Sequence, residues 1–147
     1  MAGKAVDHFL KHSAPDAGFT MTYFAEGTEI ADAVVGVAPC RLVVVKAFIG
    51  NGVDSGGTTN ASLKAVASGT DISAAGTAIT DSLSMAGQGN HVIREFVLST
   101  DSDGVPDANI VEAGSAIVFA LDGANATDSD LTLPHVTVYC VPFAPGQ

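Results

Sequence analysis

Alternation of hydrophobic and polar residues runs along most of the chain after Gly18 and predicts short β-strands. Strands that bury one face alternate with a period of two, and Gly, Asn, Asp and Pro mark turns about every dozen residues. The predicted strands are 19–24, 28–37, 40–49, 60–66, one or two within 69–89, 91–99, 110–111, 115–121 and 131–141. About eight short strands with such turns predict an all-β fold, an antiparallel two-sheet β-sandwich of jelly-roll type.

Four segments add detail to this prediction. The segment 40–49 is apolar on both faces, so it is either a central strand covered twice or part of an oligomer interface. We expect a distortion at Gly36, and an edge position or bulge at Pro134, which cannot donate to a ladder. A helix over 74–83 is the alternative to strands within 69–89, although Gly76 interrupts it.

The first residues differ from the rest, so we divide the chain into an N-terminal arm, 1–18, and one sandwich domain, 19–147. The arm holds a third of all Lys and Arg and half of the His. Phe9 and Leu10 fit one side of a short helix that ends near Pro15, and such a helix is too short to be stable alone. The arm is either a frayed terminus or an extended or short-helical segment that becomes ordered on a partner.

The charge balance excludes several classes of partner. Of the 147 residues, 16 are Asp or Glu and 6 are Lys or Arg, which gives a formal net charge of −10. Six scattered cations cannot build a basic groove, so binding to nucleic acid or to an anionic membrane is disfavoured. Neither a membrane-spanning apolar stretch nor the apolar core of a signal peptide is found, and we expect synthesis in a cytoplasm.

Reactive groups are sparse, and the sequence predicts neither an enzyme nor a cofactor. The spacing of His8 and His12 would place both on one side of a helix, but no residue at a telling spacing completes a metal site. The acidic loop with Asp101, Asp103 and Asp107 resembles the start of a calcium loop. It lacks the remaining EF-hand ligands, so a solvated turn is the alternative, and the loop is a weak calcium candidate.

The two cysteines do not form a disulfide framework. Cys40 and Cys140 both fall in strand-like segments, which favours two buried thiols that pack as small hydrophobic residues. A bridge between them requires that their strands be neighbours.

Several segments together resemble a known class of protein. They are Val37–Gly50, Ala61–Ala65, Val111–Asp122 and Leu131–Tyr139, within a region of about 30–141. Their order is similar to the small jelly-roll capsid decoration (cement) proteins of tailed bacteriophages, although Ser115 stands where such proteins often have Asp. The resemblance implies a non-enzymatic, often trimeric protein that is made in the host cytoplasm. It implies binding to the major capsid protein on the outer surface of the virion and stabilisation of the head.

The resemblance also defines candidate contacts with the shell or with another subunit. These candidates are Lys4, His8, Phe9, Leu10, Lys11, Val43, Val45 and Phe143. One alternative is a receptor- or carbohydrate-binding sandwich of a phage fibre, spike or head, which would need exposed aromatic residues, whereas most aromatic residues here are in core register. Another alternative is a jelly-roll enzyme, which the lack of a His/Glu metal cluster disfavours.

Overall fold

The computed structural model describes residues 18–29, 31–51, 59–87, 91–100, 103–104, 108–122 and 131–143, so the predicted arm, apart from Gly18, lies outside the described residues. The described residues form strands, turns and loops, with no helix. The strands are β1 Phe19–Phe24, β2 Thr28–Glu29, β3 Ala33–Val37, β4 Leu42–Gly50, β5 Asn60–Val66, β6 Thr77–Ala78, β7 Leu83–Ser84, β8 Ile93–Glu95, β9 Ile110–Val111, β10 Ala116–Asp122, β11 Leu131–Thr132 and β12 His135–Pro142.

Two antiparallel sheets form the predicted sandwich. The first sheet has the order β1-β12-β4, and both β8 and β9 pair with the free side of β4. The second has the order β3-β10-β5, with β6 and β7 both pairing with β5. When β6 and β7 are taken as one position and β8 and β9 as another, this is the eight-strand order of a jelly roll. The all-β, jelly-roll-like prediction is confirmed.

The final predicted strand is divided at Leu133 and Pro134. The short pair β2 and β11 continues the ladder of β1 and β12, since the Ala25 amide donates to the Pro134 carbonyl and the Leu133 amide donates to that of Gly27. Leu133 has φ +49°, and this turn separates β11 from β12. Of the two alternatives stated for Pro134, the edge position is wrong, because β12 lies between β1 and β4. An irregularity of the ladder is present there, since residues 25–27 lie opposite residues 133–134. Pro134 precedes the first residue of β12, so its missing N–H removes no bond from that strand.

The predicted strand 28–37 is two strands that belong to different pairs, because β2 pairs with β11 and β3 with β10. The distortion expected at Gly36 is present. Ile117 pairs with Gly36 and Val118 with Val34, so one extra residue lies between them in β3. Gly36 also faces β1, and a Cβ atom there would lie 2.6 Å from the Met21 sulfur.

The segment 69–89 contains β6 and β7, and the helix considered for 74–83 is absent from it. The extended chain is held against β5 by hydrogen bonds at Leu63. The Ile79 amide donates to the Leu63 carbonyl, and the Leu63 amide donates to Thr80 Oγ1. Strands within 69–89 are therefore the correct alternative, as Gly76, which interrupts the helical pattern, indicated.

The core lies between the sheets, and it comes from the inward positions of the long strands, from the segments that flank β6 and β7, and from β11. Its largest fully buried side chains are Phe119, Leu42, Ile49, Leu63, Ile79, Met85, Ile117 and Leu131. Tyr23 of β1 reaches the same core, where its ring lies 6.5 Å from that of Phe119. Among the described residues, no helix is long and apolar enough to cross a membrane.

Both cysteines carry free thiols. Cys140 lies in β12 and is buried as predicted, whereas Cys40 is half-buried in the turn before β4 and not in a strand. Burial raises the pKa of the Cys140 thiol to about 11, and the proximity of Cys40 adds to the increase. The strands β4 and β12 are neighbours, which meets the condition stated for a bridge, but the thiols are not joined.

Candidate docking surface

The outer face of the first sheet, called the open face from here on, is the largest candidate site. Strand register arranges its outward side chains in rows across the sheet. The rows are Phe24, His135, Gly50 and Ile93; Thr22, Thr137, Phe48 and Glu95; Thr20, Tyr139 and Lys46; and Val141, Val43 and Ile110. Most of these side chains are apolar or uncharged, although they lie on the solvent side of the sheet.

The first row ends in two exposed apolar side chains. Phe24 of β1 is 69% exposed, and Ile93 of β8 is 66% exposed. Between them the His135 imidazole lies over Gly50, where a Cβ atom would come close to His135 Nε2. The Phe24 ring stacks on this imidazole with the ring centroids 5.9 Å apart and the planes inclined by 22°. Because residue 50 has no side chain, the histidine can lie flat and the row forms a low, apolar strip.

The opposite end of the face is also apolar. Val43 pairs with Val141 on one side and with Ile110 on the other. Next to this row, the Arg41 guanidinium lies 4.6 Å from the centre of the Phe143 ring. Arg41 Nε is 2.9 Å from Glu112 Oε1, so the positive charge at this border is balanced.

The middle of the open face contains a bulge and a groove. Tyr139 pairs with Lys46 and Cys140 with Val44, so Val45 is the extra residue of β4 and projects at the surface. It lines a groove of about 370 Å³ together with Lys46, Glu95, Phe96, Val97 and Leu98. Lys46 Nζ lies 3.7 Å from Glu95 Oε1, so the two side chains form an exposed ion pair at this groove.

The outer face of the second sheet, called the closed face from here on, has a different character. Lys64 of β5 extends over it and lies 2.5 Å from Asp32 Oδ2, and its amine also donates to the Ala74 carbonyl at 3.0 Å. These charged side chains are only 15% and 17% exposed. Val118, which pairs with Lys64, is fully buried. Residues of the chain's own loops therefore occupy this face.

The loop that supplies Ala74 is shaped by its own hydrogen bonds. The Ser73 amide and hydroxyl both donate to Asp71 Oδ1, at 2.9 Å and 2.8 Å. These bonds, the backbone one first, hold the pKa of the Asp71 carboxyl below its usual value. The Ala74 amide donates to the Asp71 carbonyl, which closes a turn and directs the Ala74 carbonyl toward Lys64.

Several exposed acidic side chains of the described residues lie outside the rows of the open face. Asp71 and Asp81 lie in the loops on either side of β6, and Asp122 ends β10 of the second sheet. All three are exposed. The rows of the open face pair their described charges, and Asp71 and Asp122 are exposed on the second-sheet side, whereas Asp81 lies beside Val97 and Ser99, next to the groove.

Within the described ranges, no three His, Cys, Asp or Glu side chains form a group suited to a metal ion. Asp103 is exposed in a turn, and Asp101 and Asp107 lie outside the described residues. His91 is exposed in a turn with φ +60°, and His135 packs on Gly50.

The structure brings part of the predicted interface together. Val43 and Val45 lie on the open face, and half-buried Phe143 borders it against Arg41. The predicted segment 40–49 is central, but its outer face is not covered within the described residues. The other candidates, Lys4, His8, Phe9, Leu10 and Lys11, lie outside the described residues.

Sequence reasoning missed the most exposed residues of the surface. Phe24 follows five alternating residues and breaks the alternation, because an outward position is occupied by an apolar residue. Ile93 is likewise an apolar residue at an outward position, opposite Gly50 in the register of β8 and β4. These two breaks in alternation were the available signal, whereas the placement of His135 over Gly50 depends on pairing between distant segments.

Comparison with known proteins gives little beyond the fold itself. No protein-family model matches the chain, and no curated protein is significantly similar to it. Among solved structures, the chain is similar to a chain of the cyanophage Pam1 capsid asymmetric unit, with 18% sequence identity over 85% of this chain and 84% of that chain. The TM-score is 0.42, and at this value the similarity carries no argument about what this chain does.

Proposed function

We propose that this protein is a structural decoration protein of a tailed-phage head. It binds the outer surface of the major capsid shell as a homo-oligomer, with a trimer as the expected state, and stabilises the head. The sequence resemblance of the region around 30–141 to capsid decoration proteins supports this proposal. The receptor- or carbohydrate-binding module remains the alternative.

The open face is the observation that carries the proposal. Soluble monomers rarely expose contiguous apolar patches larger than a few hundred Å², and patches above that size mark interaction sites. Here Phe24, Ile93 and Ile110 are exposed on one sheet face together with Tyr139. A protein that works by lying against other subunits requires a surface of this kind, and an enzyme of this fold would require convergent reactive groups instead.

The charge distribution supports an external position. Exposed acids such as Asp71, Asp81 and Asp122 keep a protein soluble and repel nucleic acid. The outer layer of a head is exposed to solvent, and an acidic surface suits that position.

Co-sedimentation tests the proposal. Purified full-length protein is mixed with phage heads that have been stripped of their surface proteins, and the pelleted protein is quantified over a range of concentrations. We expect saturable binding at a fixed ratio to the major shell protein, because a decoration protein occupies repeated sites on a symmetric shell.

Two controls make this experiment specific. Heads that retain their surface proteins should bind less, because their sites are occupied, and an acidic protein of similar size should not pellet. Absence of saturable binding by a folded protein would contradict the decoration function. A glycan array would then test the carbohydrate-binding alternative through the exposed aromatic residues Phe24 and Tyr139.

A further inference from the structure

From the contacts and charges of the first sheet, we infer that the open face is the surface through which copies of this chain associate. This inference rests on the proposed function, because it identifies the surface through which the proposed homo-oligomer forms. The row from Phe24 to Ile93 is the centre of this contact, and the occupant of the face is another copy of the same chain.

The first step is the distribution of exposed apolar side chains. Phe24 and Ile93 end one row, Tyr139 belongs to another, and Ile110 ends the row at the far side of the sheet. They are therefore spread across the whole face and not confined to one edge. The cores of homo-oligomer interfaces are more apolar than other surface and are enriched in aromatic residues.

The second step is charge. Copies that each carry a net charge of −10 repel each other unless they meet where acids are absent or paired. On the open face Glu95 lies beside Lys46, and at its border Glu112 lies beside Arg41. Association through this face keeps the exposed acids of the second-sheet side pointing away from the neighbouring copy.

The third step is the comparison with other possible occupants. A basic partner would bind best to the second-sheet side, which carries Asp71 and Asp122. The open face offers such a partner no net charge, because its described charges are paired. A copy of the same chain has a matching uncharged, apolar surface, and this complementarity selects it over a charged partner.

The experiment measures the mass of the full-length protein by light scattering after size-exclusion chromatography, over a range of concentrations. The wild type should have at least twice the 14.8 kDa of one chain, because a face that meets the same face of a copy forms a two-fold contact. The double variant Phe24→Asp with Ile93→Asp should run at the mass of one chain, with self-association weakened by at least ~30-fold, since central apolar contacts dominate interfaces. Circular dichroism should be unchanged, because both side chains are exposed in the free chain.

A matched control and a milder variant test whether the loss of mass is specific to the open face. Val37→Asp places the same charge on an exposed apolar strand residue of the second sheet, and its mass should equal that of the wild type. If the aspartate variants fail to fold, Phe24→Thr with Ile93→Thr removes the apolar surface with a residue that strands accept. This variant should also lose mass.

Three outcomes would overturn the inference: a monomeric wild type, a double variant that keeps the full mass, or a Val37→Asp variant that dissociates equally. Failure of the decoration function is separate, because it is read from pelleting with heads. A wild type that is oligomeric through the open face but does not pellet would support the inference and contradict the function. A monomeric wild type that pellets at a fixed ratio would contradict the inference and support binding to the shell.

Discussion

The two outer faces of the sandwich contrast in how their side chains are used. On the closed face, Lys64 is held by Asp32 and by a loop carbonyl, and Val118 beside it is buried. On the open face, Phe24 and Ile93 project into solvent and the Lys46–Glu95 pair is exposed. Both sheets bury their inner faces in one core, so the difference comes from the loops. Loops of the chain cover the part of the closed face around Lys64, although Val34 and Val37 of β3 are exposed, and no such cover is found over the open face among the described residues.

The largest effect should follow from disturbing the loop that reaches the closed face. A Cβ atom at Gly76 would lie 2.2 Å from the backbone oxygen of Ala65, and a backbone atom cannot move aside as a flexible side chain can. We expect Gly76→Ala to lower the free energy of unfolding by about 3 kcal/mol, the upper part of the range for overpacking. Urea unfolding followed by circular dichroism measures it.

Gly27→Ala is the matched control, because a Cβ atom there meets nothing within 4 Å. Its free energy of unfolding should stay within about 0.5 kcal/mol of the wild type, as is usual for open surface sites. A Gly76→Ala protein as stable as Gly27→Ala would show that this loop does not pack tightly against β5, and the contrast between the two faces would be weakened.

A somewhat smaller effect is expected at the ion pair of the closed face. Lys64→Met retains most of the aliphatic chain but leaves the Asp32 carboxylate without this amine in a largely buried position. We expect this variant, and Asp32→Asn, each to lose about 2 kcal/mol of unfolding free energy. Removal of one partner leaves the other polar group buried without its bonding partner. Urea unfolding of both single variants and of the double variant measures the coupling.

The double variant should lose clearly less than the sum of the single losses, since the second substitution removes the stranded group. Simple additivity would mean that Lys64 and Asp32 do not interact, and the closed face would then depend on apolar contacts such as those of Val118. Circular dichroism of each variant checks that the sandwich itself is retained.

The contrast also shows what the sequence can and cannot predict. The strands β1 and β5 follow from alternation because each buries one face, and Gly36 marked the distortion of β3. The residues that pack against these strands cannot be predicted from alternation. Lys64 looks like an ordinary solvent-facing residue of an alternating strand, and its burial depends on Asp32 and Ala74 from separate loops.

The candidate site was predictable in part for the same reason. The apolar outward residues Val43 and Val45 stand out in the sequence because they lie among inward-facing residues of one strand. The sequence left open whether another layer covers them, because alternation reports the two faces of a strand and not what packs over them. Phe24 and His135 come together only through the β1–β12 register, which joins segments more than a hundred residues apart.

The smallest effect is expected at the ion pair of the open face. Lys46 and Glu95 lie 3.7 Å apart with their side chains 58% and 51% exposed, so water and salt screen their attraction. Lys46→Met should change the free energy of unfolding by less than about 0.5 kcal/mol, in contrast to the same substitution at Lys64, because exposed pairs contribute little. Urea unfolding at a protein concentration where the chain is monomeric measures it, with Glu95→Gln as the companion variant. A loss as large as that of Lys64→Met would show that the open face is covered within the single chain, and the distinction between the two faces would fail.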